Sequence, residues 1–96
     1  MSDIPKFPPE QFAQCIGNAQ IAYSNYDMAT ANQLYVAAYD AAKADTPTNW
    51  LGATMAARGV FESAYRLDSP PAKLDHWQQV TTSSMDAAVE TITGVT

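Results

Sequence analysis

His76 is the residue whose type best suits catalysis, because an imidazole transfers protons near neutral pH. It is the single histidine among the 96 residues. A hydrolytic relay also needs an orienting carboxylate, but Asp75 is the adjacent residue and points elsewhere on a helix. The hydroxyl residues at 81–84 lack the glycine pattern of a nucleophile elbow. The sequence therefore favours an exposed helix residue at position 76 and predicts that the chain is not an enzyme.

Metal and cofactor sites need several convergent ligands, and this chain offers few. A zinc site combines several Cys, His or carboxylate ligands, whereas Cys15 and His76 are single residues far apart in the sequence. Asp86 and Glu90 lie one helical turn apart, which is more typical of a solvated helix face than of a paired acid and base. The four glycines are isolated and form no phosphate-binding pattern. We expect no catalytic residue, no metal and no cofactor.

The charge balance disfavours nucleic acid as a partner. Ten acidic and five basic residues give a net charge of −5, and such a chain repels a phosphate backbone. The basic residues are scattered and form no cluster. Cys15 has no second cysteine to pair with and, beside Ile16, is typical of a small buried hydrophobe.

The sequence also suggests where the chain works. It has no basic and apolar leader pattern, and no apolar run approaches the roughly 20 residues that span a bilayer. We therefore expect a cytoplasmic protein without a transmembrane segment.

Proline-marked starts and helical apolar spacing predict an all-α fold. Pro47 and the proline pair at 70–71 suit the first turn of a helix, and Thr46 and Ser69 precede them with hydroxyls suited to N-capping. No useful stretch alternates with the period of a strand. The prediction is a three-helix antiparallel bundle with a long first helix, in a single domain spanning 1–96. The helices cover about 9–43, 47–67 and 71–93, and 1–8 is extended.

Two apolar stripes define the second and third predicted helices. The second helix carries Trp50, Ala53, Ala57, Val60, Ala64 and Leu67, widened by Leu51, Met55, Phe61 and Tyr65. The third carries Leu74, Trp77, Thr81, Met85, Ala88 and Ile92. Gly94 follows as a stop signal.

The first predicted helix is less uniform, because the stripe that ends at Tyr23 is out of phase with the one that begins at Met28. One interpretation is a continuous helix whose apolar face rotates midway. The other is a bend near Ser24 and Asn25, where Ser24 and Asp27 have the spacing of a capping box with Asp in place of Glu. The continuous helix is the favoured interpretation.

The apolar residues predict association as well as folding. Many of them are alanines, which bury little area each, so the core is thin and a second copy or another surface is expected to complete it. Five tyrosines and two tryptophans also suit an interface, although core packing explains most of them. The candidate interaction surface comprises Trp50, Phe61, Tyr65, Leu74, Trp77, Met85, Val89 and Ile92.

One segment resembles a known family. Residues 68–79, which begin Asp-Ser-Pro-Pro and end Gln-Gln, and the Ala-rich run 84–89 resemble the C-terminal helix of phasin-like proteins. Members of that family are helical and non-enzymatic, and coat polyhydroxyalkanoate storage granules in bacteria, commonly as oligomers. The resemblance covers a minor part of the chain. It implies that the apolar face of the third predicted helix contacts the polyester or another subunit.

A second resemblance gives an alternative. Trp50, Leu51 and Gly52 form a Trp-x-Gly triplet at mid-chain, which is similar to that of the secreted WXG helical-hairpin family. That family places the triplet in the turn between two long helices, whereas the prolines at 70–71 here would interrupt the second one. The likeness implies a helical adaptor or secretion-system protein that binds a specific protein partner, and it ranks below the phasin likeness.

Overall fold

A computed structural model describes residues 9–94, and all regular structure within that range is helical. The helices are α1 (Pro9–Ser24), α2 (Met28–Ala44), α3 (Trp50–Arg66) and α4 (Pro71–Thr93). The all-α prediction is confirmed, but the count of three helices is wrong, because 9–43 contains two. The extended segment predicted for 1–8 lies outside the described residues. No helix within 9–94 is long and apolar enough to cross a membrane.

The predicted continuous first helix is interrupted by a turn at 25–27, close to the bend that was the alternative. Tyr26 adopts a left-handed conformation with φ 63°. Its N–H donates to the carbonyl of Tyr23 at 3.0 Å, and that of Asp27 donates to Ala22 at 2.9 Å, which is the Schellman pattern of a helix end. Asp27 then caps α2 by accepting from the N–H of Thr30. These local bonds end one helix and begin the next.

The start predicted for α3 at Pro47 is also wrong, and Thr46 does not cap it. Pro47 lies in the connection, and α3 begins at Trp50. Asn49 is the N-cap, because its side-chain oxygen accepts from the N–H of Gly52 at 3.0 Å. Asparagine at this position satisfies a donor that the helix itself leaves without a partner.

The ends of α4 match the predicted range 71–93, although the capping differs. Pro71 is the first helical residue, but Pro70 holds the cap position and Ser69 makes no capping hydrogen bond. The preceding helix α3 ends in a second Schellman pattern, with Asp68 at φ 58°. Gly94, at φ 75°, ends α4 as predicted.

Helix α3 is the centre of the fold. It packs against α2 on one side and α4 on the other, while α1 packs mainly on α2 and approaches α3 more sparsely. Among the described helices, α1 and α4 have no close backbone approach. The resulting molecule is flat, with extents of 38 × 37 × 18 Å. The outer helices α1 and α4 therefore have more residues facing solvent than the central helix α3.

The core is built from small residues, as the composition suggests. Most buried apolar residues are alanines, and the largest fully buried side chains are those of Val60, Ser63 and Ser84. The Ser63 hydroxyl donates to the carbonyl of Gly59 at 2.8 Å and accepts from the Asn32 amide at 3.0 Å. Such close approach of helices leaves the larger side chains at the edges of the packing.

Candidate interaction surface

Five large apolar side chains remain about half exposed on α3 and α4. Leu51 and Met55 are 55% and 52% exposed, and Met85, Val89 and Ile92 are 48%, 49% and 68% exposed. Single exposed hydrophobic residues are normal, but a contiguous group marks an interaction site.

The helix geometry places these five side chains on one side of the α3–α4 pair. Leu51 and Ile92 line one groove together with Ala88, so the start of α3 lies beside the end of α4 and the helices are antiparallel. Met55 is one turn after Leu51 and therefore level with the turn of α4 that carries Val89. Met85 lies one turn before Val89 on the same side of α4. We call this surface the α3–α4 apolar face: Leu51, Met55, Met85, Val89 and Ile92.

The sequence-predicted surface is divided between this face and partly buried positions. Met85, Val89 and Ile92 belong to the face. Tyr65 is 65% exposed but lies towards the end of α3, where it lines a separate groove with Phe61 and Tyr23. The remaining members of the predicted surface are partly buried: Trp50, Phe61, Leu74 and Trp77.

Trp77 contributes to packing between helices. It packs against the core cluster that contains Tyr35 and Val60. Its ring also meets that of Tyr39 edge-on, with centroids 5.4 Å apart at 88°. This contact joins α2 and α4 across the small residues of α3.

Leu51 and Met55 belong to the surface although the predicted apolar stripe of α3 includes them with its buried residues. Ala53 and Ala57 are fully buried. Leu51 and Met55 each stand two positions before one of these alanines, which is about 200° around the helix. Separating the faces of α3 by this angle would have identified both residues.

His76 is exposed and lies edge-on to Trp77, with ring centroids 5.3 Å apart. It lines a depression with Tyr39, Lys43 and Trp50, and no carboxylate of the described residues lines that depression. The structure thus brings His76 together with aromatic and basic groups. No carboxylate in the described lining is placed to orient its imidazole.

The carboxylates of α3 and α4 are exposed or paired with an arginine. Asp86 and Glu90 are both exposed on α4. Arg58 and Glu62 form an exposed ion pair at 3.2 Å, one turn apart on α3. Within residues 9–94, no group of three or more His, Cys, Asp or Glu side chains is placed to hold a metal ion.

The phenol groups of Tyr23 and Tyr35 take part in two different interactions. The Nε of Arg66 donates to the Tyr23 hydroxyl at 2.6 Å, and this bond raises the pKa of Arg66. Burial raises the pKa of Tyr35, with further contributions from Tyr23 and Glu62. The first interaction ties α1 to α3, and the second marks Tyr35 as a core residue.

No protein-family model matches this chain, and comparison with curated proteins and with solved structures gives no significant match. The two resemblances therefore remain predictions.

Proposed function

We propose that this chain is a non-catalytic association protein that coats an apolar surface through the α3–α4 apolar face. The observation that carries the proposal is that the core holds mostly small apolar side chains while larger ones remain exposed. Alanines fill the core, whereas leucine, methionine, valine and isoleucine remain half exposed together on one side. A chain selected only for folding gains most by burying its largest apolar side chains.

Covering this face provides a driving force for association. Burying the remaining half of each side chain contributes roughly 1 kcal/mol, because complete burial contributes about 1.5–3 kcal/mol. Five such contributions are partly offset by the loss of translational and rotational freedom on binding. The expected outcome is reversible association that depends on several side chains at once.

The polyester granule is the target that the phasin likeness suggests. Asp86 and Glu90 are exposed on α4 beside the apolar face, and Glu90 lies about 100° around the helix from Val89, so an adsorbed helix pair can present acidic groups to water. The net charge of −5 would then keep coated particles apart by repulsion. A surface-coating protein needs this combination of an apolar contact side and a charged outer side.

The test is co-sedimentation with poly(3-hydroxybutyrate) particles. Wild-type protein is compared with Val89→Gln on the face and with Ile21→Gln, which alters a residue that is 61% exposed on α1. We expect saturable binding that weakens about fivefold in Val89→Gln, because one buried apolar contact is lost, and is unchanged in Ile21→Gln. No binding by the wild type, or equal loss in both variants, would overturn the proposal.

The second candidate is an adaptor for one protein partner. It is favoured by the position of the Trp50-Leu51-Gly52 triplet, which follows directly after the connection between α2 and α3. Leu51 also belongs to the apolar face. The turns at 25–27 and 67–70 depart from the two long helices of the WXG pattern. Recovery of a single stoichiometric protein partner, without particle binding, would favour this candidate.

A further inference from the structure

A second feature of the molecule lies on the other side of α4, away from the apolar face. A depression between α2, α3 and α4 is lined by Tyr39, Lys43, Trp50, His76 and Ser84. Its volume is about 290 Å³, at the lower end of the range for small-molecule sites. Aromatic rings, a cation and hydroxyl groups therefore face one small space.

The positive charge of Lys43 is held at this depression without a carboxylate. Its Nζ lies 5.5 Å from the centroid of the Tyr39 ring and 5.2 Å from that of Trp50. Such cation–π contacts position an ammonium group but leave its charge uncompensated. The ion pair found within residues 9–94 joins Arg58 and Glu62 on α3 and does not involve Lys43. An ammonium group in a lining that contains no described carboxylate favours an anionic ligand over a cationic one.

Ser84 adds a hydroxyl group to the lining of this depression. The residue is 2% exposed, and its hydroxyl makes no hydrogen bond to another described residue. Among the described residues, every side-chain oxygen or nitrogen atom that is fully shielded from solvent has a hydrogen-bond partner. The Ser84 hydroxyl therefore keeps its remaining access to solvent through the depression that the residue lines. A hydroxyl that lines the depression and has no hydrogen-bond partner among residues 9–94 is available to a ligand.

We propose that this depression binds a small planar aromatic carboxylate. The carboxylate is placed at the Lys43 ammonium group, with the Ser84 hydroxyl as a further donor. The ring then lies against Trp50 and Tyr39, the two aromatic side chains that flank the Lys43 Nζ. The absence of carboxylates from the described lining favours an anion over a cation, and the size of the depression favours a single ring.

Benzoate titration followed by the backbone and indole NMR signals of the whole chain tests this site, with benzamide and acetate as matched probes. We expect benzoate to shift signals of the lining residues, with both other probes about tenfold weaker, because each lacks either the charge or the ring. Lys43→Gln and Ser84→Ala should weaken benzoate binding, the former about tenfold. Lys73→Gln, which alters an exposed lysine outside the depression, should leave it unchanged.

Three results would overturn the site. They are benzoate shifts outside the depression, binding of benzamide as tight as that of benzoate, and binding of benzoate by Lys43→Gln as tight as by the wild type. Far-ultraviolet circular dichroism of each variant shows whether the helices are retained. The readout is independent of particle binding, so failure here leaves the coating proposal intact, and the reverse also holds.

Discussion

The ring of Tyr35 in α2 lies directly against the backbone of Gly59 in α3. A Cβ atom added at Gly59 would overlap three atoms of that ring. Tyr35 is 8% exposed and belongs to the main core cluster, so its ring has little freedom to move away. The glycine thus sets how closely the second and third helices approach, and it does so in a core with few large side chains.

Gly59→Ala should destabilise the fold. Overpacking of a core costs about 1–3 kcal/mol, which exceeds the gain of about 1 kcal/mol that alanine brings to a helix interior. Gly17→Ala is the matched control, because no atom of the described residues outside the adjoining helix backbone lies within 4 Å of the added Cβ, and α1 should gain that propensity in full. Urea unfolding should show a lower midpoint for the first variant and a higher one for the second. Equal effects of the two changes would refute the close approach.

Tyr26→Gly should stabilise the protein by about 1 kcal/mol, because a left-handed conformation strains a residue with a side chain. Tyr26 has φ 63° and is 86% exposed, so the substitution removes little packing. Asn25→Gly is the control, since Asn25 has a negative φ and glycine there only increases the entropy of the unfolded chain. Thermal unfolding should give opposite shifts in Tm. A loss of stability in Tyr26→Gly would show that the tyrosine ring has a structural role.

The free energy of unfolding should fall in alkaline solution because the buried phenol of Tyr35 loses its proton there. Burial raises the pKa of its phenol, so the folded state holds that proton more tightly than the unfolded state. This contribution is fully present below about pH 10, the pKa of an unfolded tyrosine, and is lost as the pH rises through the higher folded pKa. The free energy of unfolding, measured by urea from about pH 8 to about pH 11, should decline more steeply in the wild type than in Tyr35→Phe. Identical slopes would mean that the phenol is solvated in the folded protein.

Proline and glycine signals predicted the ends of α4, but the similar signal at Pro47 did not mark the start of α3. The range of α4 was predicted because Pro71 and Gly94 mark its ends by their own backbone preferences. The break after Ser24 was underestimated, because a tyrosine at 26 gives no signal for a left-handed residue. The start of α3 was predicted at Pro47 with Thr46 as its cap, whereas the helix begins at Trp50 with Asn49 as its cap, because the fold of the connection from α2 places Pro47 before the helix.

The candidate surface was predicted only where it depends on the residue spacing within a single helix. Met85, Val89 and Ile92 follow from the period of one helix. Leu51 and Met55 join them because α4 covers one side of α3 and leaves this one open, which depends on the order of packing. The depression at Lys43 combines residues from three helices, so no single stretch of the sequence signals it.

The most direct test of the coating proposal asks which face meets the particle. An environment-sensitive fluorophore is attached to Val89→Cys, on the apolar face, or to Ile21→Cys, on α1, each in a Cys15→Ser background that leaves one thiol. Particles of poly(3-hydroxybutyrate) are then added to each labelled protein. The account predicts a blue shift and protection from aqueous quencher at position 89, with little change at position 21. Equal shifts at both positions, or a shift at position 21 alone, would contradict it.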